Sequence, residues 1–175
     1  MQFLLDREDW RLVANSLGSI LIIIGITSVL PLASAVYFSE YFYAVAFLLM
    51  LIVSISCGLA LRSFKSERGF SLRHALLIAA LTWILVPLIS TLPFISAGMS
   101  LVDAYFESMS GWTTTGFTII PDVESLPWSI LFFRSYTHWL GGIGIILLVL
   151  TVLRIPKLGQ KLYAAETRSE NIRLN

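Results

Sequence analysis

The sequence predicts an all-α transmembrane protein that crosses the bilayer four times and carries one re-entrant loop. Hydrophobic residues make up 57% of the 175 residues and charged residues only 13%, at a mean hydropathy of +0.82. Soluble domains usually carry about 25% charge, and a compact soluble fold of this length could not hide so much apolar surface. The charges are gathered into short segments whose sign alternates along the chain. One interval between apolar runs also holds a helix signal too short to cross a membrane.

Four runs have the roughly 20 helical residues needed to cross about 30 Å of hydrocarbon. The first covers 12–38 and is softened by Asn15, Ser16, Ser19 and Pro31. A proline inside it is tolerable if a neighbouring helix satisfies the carbonyl it frees. This run exceeds the roughly 7–15 residues of a secretory h-region, and acids mix with bases ahead of it, so it reads as a retained anchor. The second run, 41–61, is uncharged. The third covers 75–93, with a kink expected at Pro87. The fourth, 128–153, holds one charge, Arg134.

Basic residues set the orientation. Arg7 and Arg11 precede the first span; Arg62, Lys65, Arg68 and Arg73 lie between the second and third; Arg154, Lys157, Lys161, Arg168 and Arg173 follow the fourth. Four spans put all of these on one side, leaving only Arg134 of the 12 Lys and Arg residues elsewhere. The opposite side receives Glu40, Asp103, Glu107, Asp122 and Glu124, and 74–133 contains no Lys or Arg. The expected placement is therefore the plasma (cell inner) membrane, multi-pass, with both termini cytoplasmic. Trp10, Tyr37, Tyr41, Tyr43 and Trp128 fall near span ends, where amphipathic rings favour the headgroup region.

Several function classes are excluded. A net charge of +1 implies no nucleic-acid partner. Cys57 is the single cysteine, so there is no intrachain disulfide and no Cys/His cluster with metal-ligand spacing. No nucleophile–base arrangement or paired acid at catalytic spacing argues for an enzyme, and no organic cofactor is implied.

The outer connection, 93–127, carries the functional signal. Ser100 followed by Asp103 has capping-box spacing. Leu101, Tyr105, Met109 and Trp112 then form an apolar stripe at helical spacing, with Val102 and Phe106 beside it. About a dozen helical residues reach roughly 18 Å, half a bilayer. After that half-helix comes Gly111-Trp112-Thr113-Thr114-Thr115-Gly116-Phe117-Thr118, then the polar stretch 121–125. The chain must turn back, and non-helical backbone at membrane depth is permitted only where protein buries it or it lines a watery cavity. A half-helix, a threonine-glycine segment and a return have the layout of a selectivity filter over 113–118. Successive carbonyl oxygens can replace the hydration shell of a cation such as K⁺. Gly116 supplies dihedral angles a Cβ would resist, and the C-terminal end of the half-helix turns its partial negative charge to the cation. Asp103, Glu107, Asp122 and Glu124 would make the mouth attractive to cations. The string TTTG alone is a weak signal, common in ordinary loops. Its position after a half-helix, between two spans and within a base-free stretch gives it force. The competing reading is a non-conducting membrane scaffold or assembly module whose loop caps a helix bundle.

DAYFESMSGWTTTGFT (103–118), LPWSILFFRSYTHWLGGIGIILLVL (126–150) and KLYAAET (161–167) resemble the Trk/Ktr/HKT potassium-uptake superfamily, specifically its Trk-type (TrkH/TrkG) membrane subunit. The resemblance covers nearly the whole chain and is densest over 71–167. It implies four helix–pore-loop–helix repeats around a central cation pathway, often preceded by an extra helix pair. On that likeness 1–70 is a leading transmembrane helix pair, 71–156 is one repeat of potassium-channel-like architecture, and 157–175 is a cytoplasmic tail. Thr114, Thr115, Gly116 and Phe117, with Thr113 next, are the implied K⁺-coordinating residues, with K⁺ as the transported ion. Membrane lipid, a homodimer or further pore repeats, and a cytoplasmic TrkA-type nucleotide-binding regulatory subunit are the implied partners. Only one pore loop is present here, so the chain is expected to be the amino-terminal portion of a longer transporter, ahead of a split product or an oligomerising short protein.

Other residues have blander readings beside functional ones. Gly141, Gly142 and Gly144 suit close helix packing in lipid more than a bend for gating. Arg134 sits inside a span at a cost that suggests a role. It either pairs with Glu107 or Asp103 and braces the loop, or snorkels to the outer headgroups. His138 is expected as a hydrogen-bonded packing residue and His74 as interfacial.

Overall fold

The computed structural model describes residues 6–67 and 69–153. Arg68, the segment assigned as a tail and the basic residues from Arg154 onward lie outside them. The described residues form seven α-helices: α1 (Arg7–Thr27), α2 (Val29–Tyr37), α3 (Tyr41–Arg62), α4 (Leu72–Ile89), α5 (Thr91–Ser96), α6 (Leu101–Trp112) and α7 (Trp128–Leu153), with a 3-10 turn at Val123–Ser125. Four stretches are long and apolar enough to cross a membrane: Arg7–Tyr37, Tyr41–Arg62, Leu72–Ser96 and Trp128–Leu150. They match the four spans read from hydropathy. The described residues up to Gly142 form one compact unit, and the last turns of α7, from Ile143, fall outside it.

Helix α1 starts ahead of its apolar run because the chain supplies a cap there. The Asp6 carboxylate accepts from the Glu8 and Asp9 amides, and the Asp9 side chain returns to the Asp6 amide. The first span breaks at Ser28, whose hydroxyl donates to the Gly25 carbonyl at 2.6 Å. Pro31 therefore falls in the first turn of α2 rather than mid-helix. Having no N–H, it leaves the Thr27 carbonyl without its usual partner. The Tyr136 hydroxyl donates to that oxygen at 3.2 Å, so a neighbouring helix supplies the missing bond. In the third span α4 continues past Pro87 to Ile89, and Ser90 separates it from α5.

Helices α1 and α3 pack through small residues. A Cβ on Gly18 would overlap the Gly58 carbonyl, and one on Gly58 would lie 2.7 Å from Ile22 Cγ1. Two backbones this close gain dispersion contacts that lipid tails would otherwise supply, which is how helices associate in a bilayer. At the end of this pair Asn15 Nδ2 donates to the Arg62 carbonyl at 2.9 Å, satisfying one of the carbonyls orphaned at the end of α3.

The aromatic core joins this pair to the remaining helices. Phe47 of α3, Phe94 of α5 and Phe133 of α7 are all fully buried. Their ring centroids lie 5.3 Å (Phe47–Phe133) and 5.6 Å (Phe94–Phe133) apart, within the range where edge and tilted packing is favourable. At the opposite end Ser71 caps α4, and His74 in its first turn is buried. His74 Nε2 lies 2.9 Å from Asp9 Oδ1 of α1, which explains how an imidazole is accommodated there.

Candidate cation-binding loop

Helix α6 is the half-length helix the sequence called for. The Ser100 hydroxyl accepts from the Asp103 amide at 3.2 Å and donates to the Asp103 carboxylate at 2.7 Å. The helix closes on a Schellman arrangement. The Thr114 amide donates to the Gly111 carbonyl and the Thr115 amide to the Ser110 carbonyl, each at 3.0 Å. The Gly116 amide also reaches the Ser110 carbonyl, at 3.4 Å. Such a cap needs a left-handed residue just past the helix, and that residue is Thr114, at φ 58°. A β-branched side chain is a poor occupant of that region. Gly116 is left-handed too, at φ 79°, as its glycine identity predicts.

These amide bonds fix the direction of the carbonyls. In a trans peptide the C=O of one residue points opposite to the N–H of the next, and the described chain has no cis bonds. The amides of Thr114, Thr115 and Gly116 all turn back onto the last turn of α6. The carbonyls of Thr113, Thr114 and Thr115 therefore point away from α6. Thr114 to Phe117 lie on the exposed side of the unit, with Thr113 half-buried. The threonine hydroxyls serve the loop itself: Thr113 Oγ1 reaches the Met109 carbonyl and Thr115 Oγ1, both at 2.7 Å. Phe117 departs from the expected pattern. The residue is 68% exposed, and its carbonyl accepts from the Ser110 hydroxyl at 2.6 Å, which leaves that oxygen one free lone pair.

The return from the loop is held by a buried charge. Glu107 was expected at the mouth, but it is only 2% exposed. Its Oε1 accepts from the Thr118 hydroxyl at 2.6 Å and the Ile119 amide at 2.8 Å. Its Oε2 lies 3.2 Å from Arg134 Nη1, which also donates to Thr118 Oγ1 at 3.2 Å. Arg134 thus pairs with Glu107 and braces the loop, the first of its two readings. The non-helical backbone after Gly116 needs partners for its polar groups, and a carboxylate from α6 supplies one to the Ile119 amide. Asp122 and Glu124 remain exposed and Asp103 half-buried.

Helix α7 closes the back of the loop. A Cβ on Gly111 would overlap the Thr137 hydroxyl, and one on Gly141 would overlap the Trp112 carbonyl, so Gly141 serves close packing. Gly142 faces the Thr114 methyl, its Cβ position lying 3.9 Å away. His138 Nδ1 donates to the Arg134 carbonyl at 2.8 Å, the packing role expected of it. On the other flank Trp112 Nε1 donates to Ser90 Oγ at 3.0 Å, and the Ser108 hydroxyl to the Pro87 carbonyl at 2.7 Å. Sequence reasoning missed Ser108 and Ser110. Their signal was a run of polar residues, Glu107, Ser108 and Ser110, on a helix otherwise apolar enough to be buried.

Residues 43–173 match the TrkH family model, described as cation transport protein. The chain belongs to the TrkH family. An uncharacterised cation transporter of Methanocaldococcus jannaschii is 39% identical over 96% of this chain and 36% of its own length. A Trk system potassium uptake protein TrkH of Halomonas elongata is 35% identical over 85% of this chain and 31% of its own. A Trk system potassium uptake protein TrkG of Escherichia coli is 34% identical over 93% and 34% respectively. The chain thus spans about a third of the length of these TrkH-family relatives. It is a multi-pass membrane segment of that family, with the loop and its brace inside the matched region.

Proposed function

We propose that this chain supplies one pore repeat of a potassium-uptake transporter, with K⁺ held by the peptide oxygens of Thr113, Thr114 and Thr115, then Gly116. Phe117 is a weaker ligand on this reading, because Ser110 already occupies one side of its carbonyl. The observation that carries the proposal is the reversal of three consecutive amides onto the end of α6, which leaves three carbonyls aimed together at the exposed side. Backbone oxygens in such a row can replace the water shell of a monovalent cation. The partial negative end of α6 favours a cation there.

One repeat cannot enclose an ion, so further repeats complete the pathway, and the exposed side of the loop is where they meet it. The uptake named for the relatives supplies the substrate class. Transport, rather than bond-making chemistry, is the activity. The basic segments at 62–73 and from Arg154 onward favour an orientation with both termini in the cytoplasm. There they are positioned to meet a TrkA-type nucleotide-binding regulatory subunit, and a homodimer is the expected membrane assembly.

The test is growth of a potassium-starved cell lacking its own uptake systems and expressing the full transporter. Gly116→Asp, which puts a side chain and a fixed charge where φ is 79°, is expected to abolish rescue. Rescue equal to that of the unaltered protein would remove the filter assignment and leave a membrane scaffold.

A further inference from the structure

Helix α7 begins without a cap of its own. Its first residue follows Pro127, which has no side-chain acceptor, so the Trp128 and Ser129 amides need a partner from elsewhere. Glu40 provides it. Oε1 accepts from the Trp128 amide and Oε2 from the Ser129 amide, each at 2.9 Å, and the Ser129 hydroxyl donates to Oε2 as well. Glu40 precedes α3, yet its side chain makes no capping bond to α3. The turn that delivers it is tightly built: Ser39 is left-handed at φ 58°, and the Glu40 amide donates to the Ala35 carbonyl at 2.8 Å. Phe38 stacks on Trp128, with centroids 6.0 Å apart. The carboxylate also meets the positive end of the α7 dipole.

We infer that Glu40 is a positioning residue for the filter, clasping the leading helix pair to the helix that backs the loop. The inference rests on the proposed pore reading and adds a role for a residue ahead of the family-matched region. The groups that hold the loop are spaced along α7: Arg134 on Glu107, Thr137 against Gly111, and Gly141 against Trp112. They lie roughly 8 to 18 Å below Ser129 at 1.5 Å of rise per residue. A stiff helix moves them together, so fixing its first turn sets the height and rotation of all three. Tyr136 of the same helix bonds the Thr27 carbonyl, and Asp9 holds His74 on α4. The leading pair thus grips both helices that flank the loop.

The experiment compares the full transporter with Glu40→Ala and, as a milder change, Glu40→Gln. It uses amide hydrogen exchange and the ratio of K⁺ to Na⁺ uptake at equal membrane abundance. Glu40→Ala is expected to speed exchange at Trp128 and Ser129 by about tenfold, the effect of losing one charge-assisted hydrogen bond. Exchange should also rise at Gly116 and Ile119, with a severalfold fall in the K⁺ to Na⁺ ratio. Glu40→Gln, which keeps an acceptor oxygen, should shift both readouts in the same direction and less. Faster exchange confined to 128–129, with the loop amides unchanged, would overturn the inference and leave a local cap. If Gly116→Asp in the same assay leaves uptake intact, the pore reading fails instead. The exchange at Gly116 and Ile119 still decides whether Glu40 positions the loop.

Discussion

The α1–α3 pair and the α6–loop–α7 assembly solve one problem by opposite means. In lipid, two apolar helices gain little by hiding from solvent, since the solvent is as apolar as they are. The leading pair answers by bringing backbones together at Gly18, Gly25 and Gly58. The loop cannot do that, because its backbone leaves helical geometry and its N–H groups need partners from outside a helix. It recruits serine hydroxyls, a buried carboxylate and a guanidinium instead. The first region should therefore be sensitive to side-chain size and indifferent to polarity. The second should show the reverse.

The strongest test of that contrast is Glu107→Ala. It strands Arg134 without its partner and leaves the Ile119 amide unbonded. The expected loss is about 3–5 kcal/mol, read as a lower thermal unfolding midpoint in detergent. Adding Arg134→Ala should recover part of it, because the cost lies in an uncompensated charge more than in a missing attraction. If the two losses simply add, the pair is not coupled and the brace is not one unit.

Gly58→Val probes the other region. Its side chain would press on Ile22 and the Gly18 carbonyl, and overpacking of this kind costs about 1–3 kcal/mol. The midpoint should fall, while K⁺ to Na⁺ selectivity changes less than with Glu40→Ala, because the Glu40 bonds to α7 are kept. Gly58→Ser should fall at least as far as Gly58→Ala, since size and not polarity decides. A tolerated valine would mean that the helices separate easily and that the contact contributes little.

The two regions also differ in how far the sequence disclosed them. The spans were legible because a run of apolar residues has one physical reading at that length. The half-helix was legible from Ser100, Asp103 and the stripe ending at Trp112. Arg134 was visibly expensive, and Glu107 was one of the two acids on the base-free stretch offered as its partner. The geometry at Thr114 was not legible, because left-handed backbone is expected of glycine and the sequence offers Gly116 two positions on. Only the Schellman bonds show that the turn begins earlier. Glu40 was equally hidden, read as one more outer acid. Its partners lie 88 and 89 residues away, and no local pattern links a carboxylate to a helix start at that separation.

The smallest effect separates strain from stability within the loop itself. Thr114 sits at φ 58°, which costs a β-branched residue about 1–2 kcal/mol relative to its preferred regions. Thr114→Gly removes that cost but adds roughly 0.5–1 kcal/mol of chain entropy to be lost on folding. The net change should be a stabilisation of about 0–1.5 kcal/mol, opposite in sign to the other two substitutions. Selectivity should nevertheless fall. Threonine at 114 restricts the peptide on either side of it, and its methyl fills the space beside Gly142. Glycine would let the carbonyls of Thr113 and Thr114 swing and accept ions of more than one radius. A gain in unfolding midpoint with a lower K⁺ to Na⁺ ratio is thus the signature of strain retained for function. A loss of stability would show instead that the threonine contacts outweigh the backbone cost, and that the loop is ordinary structure.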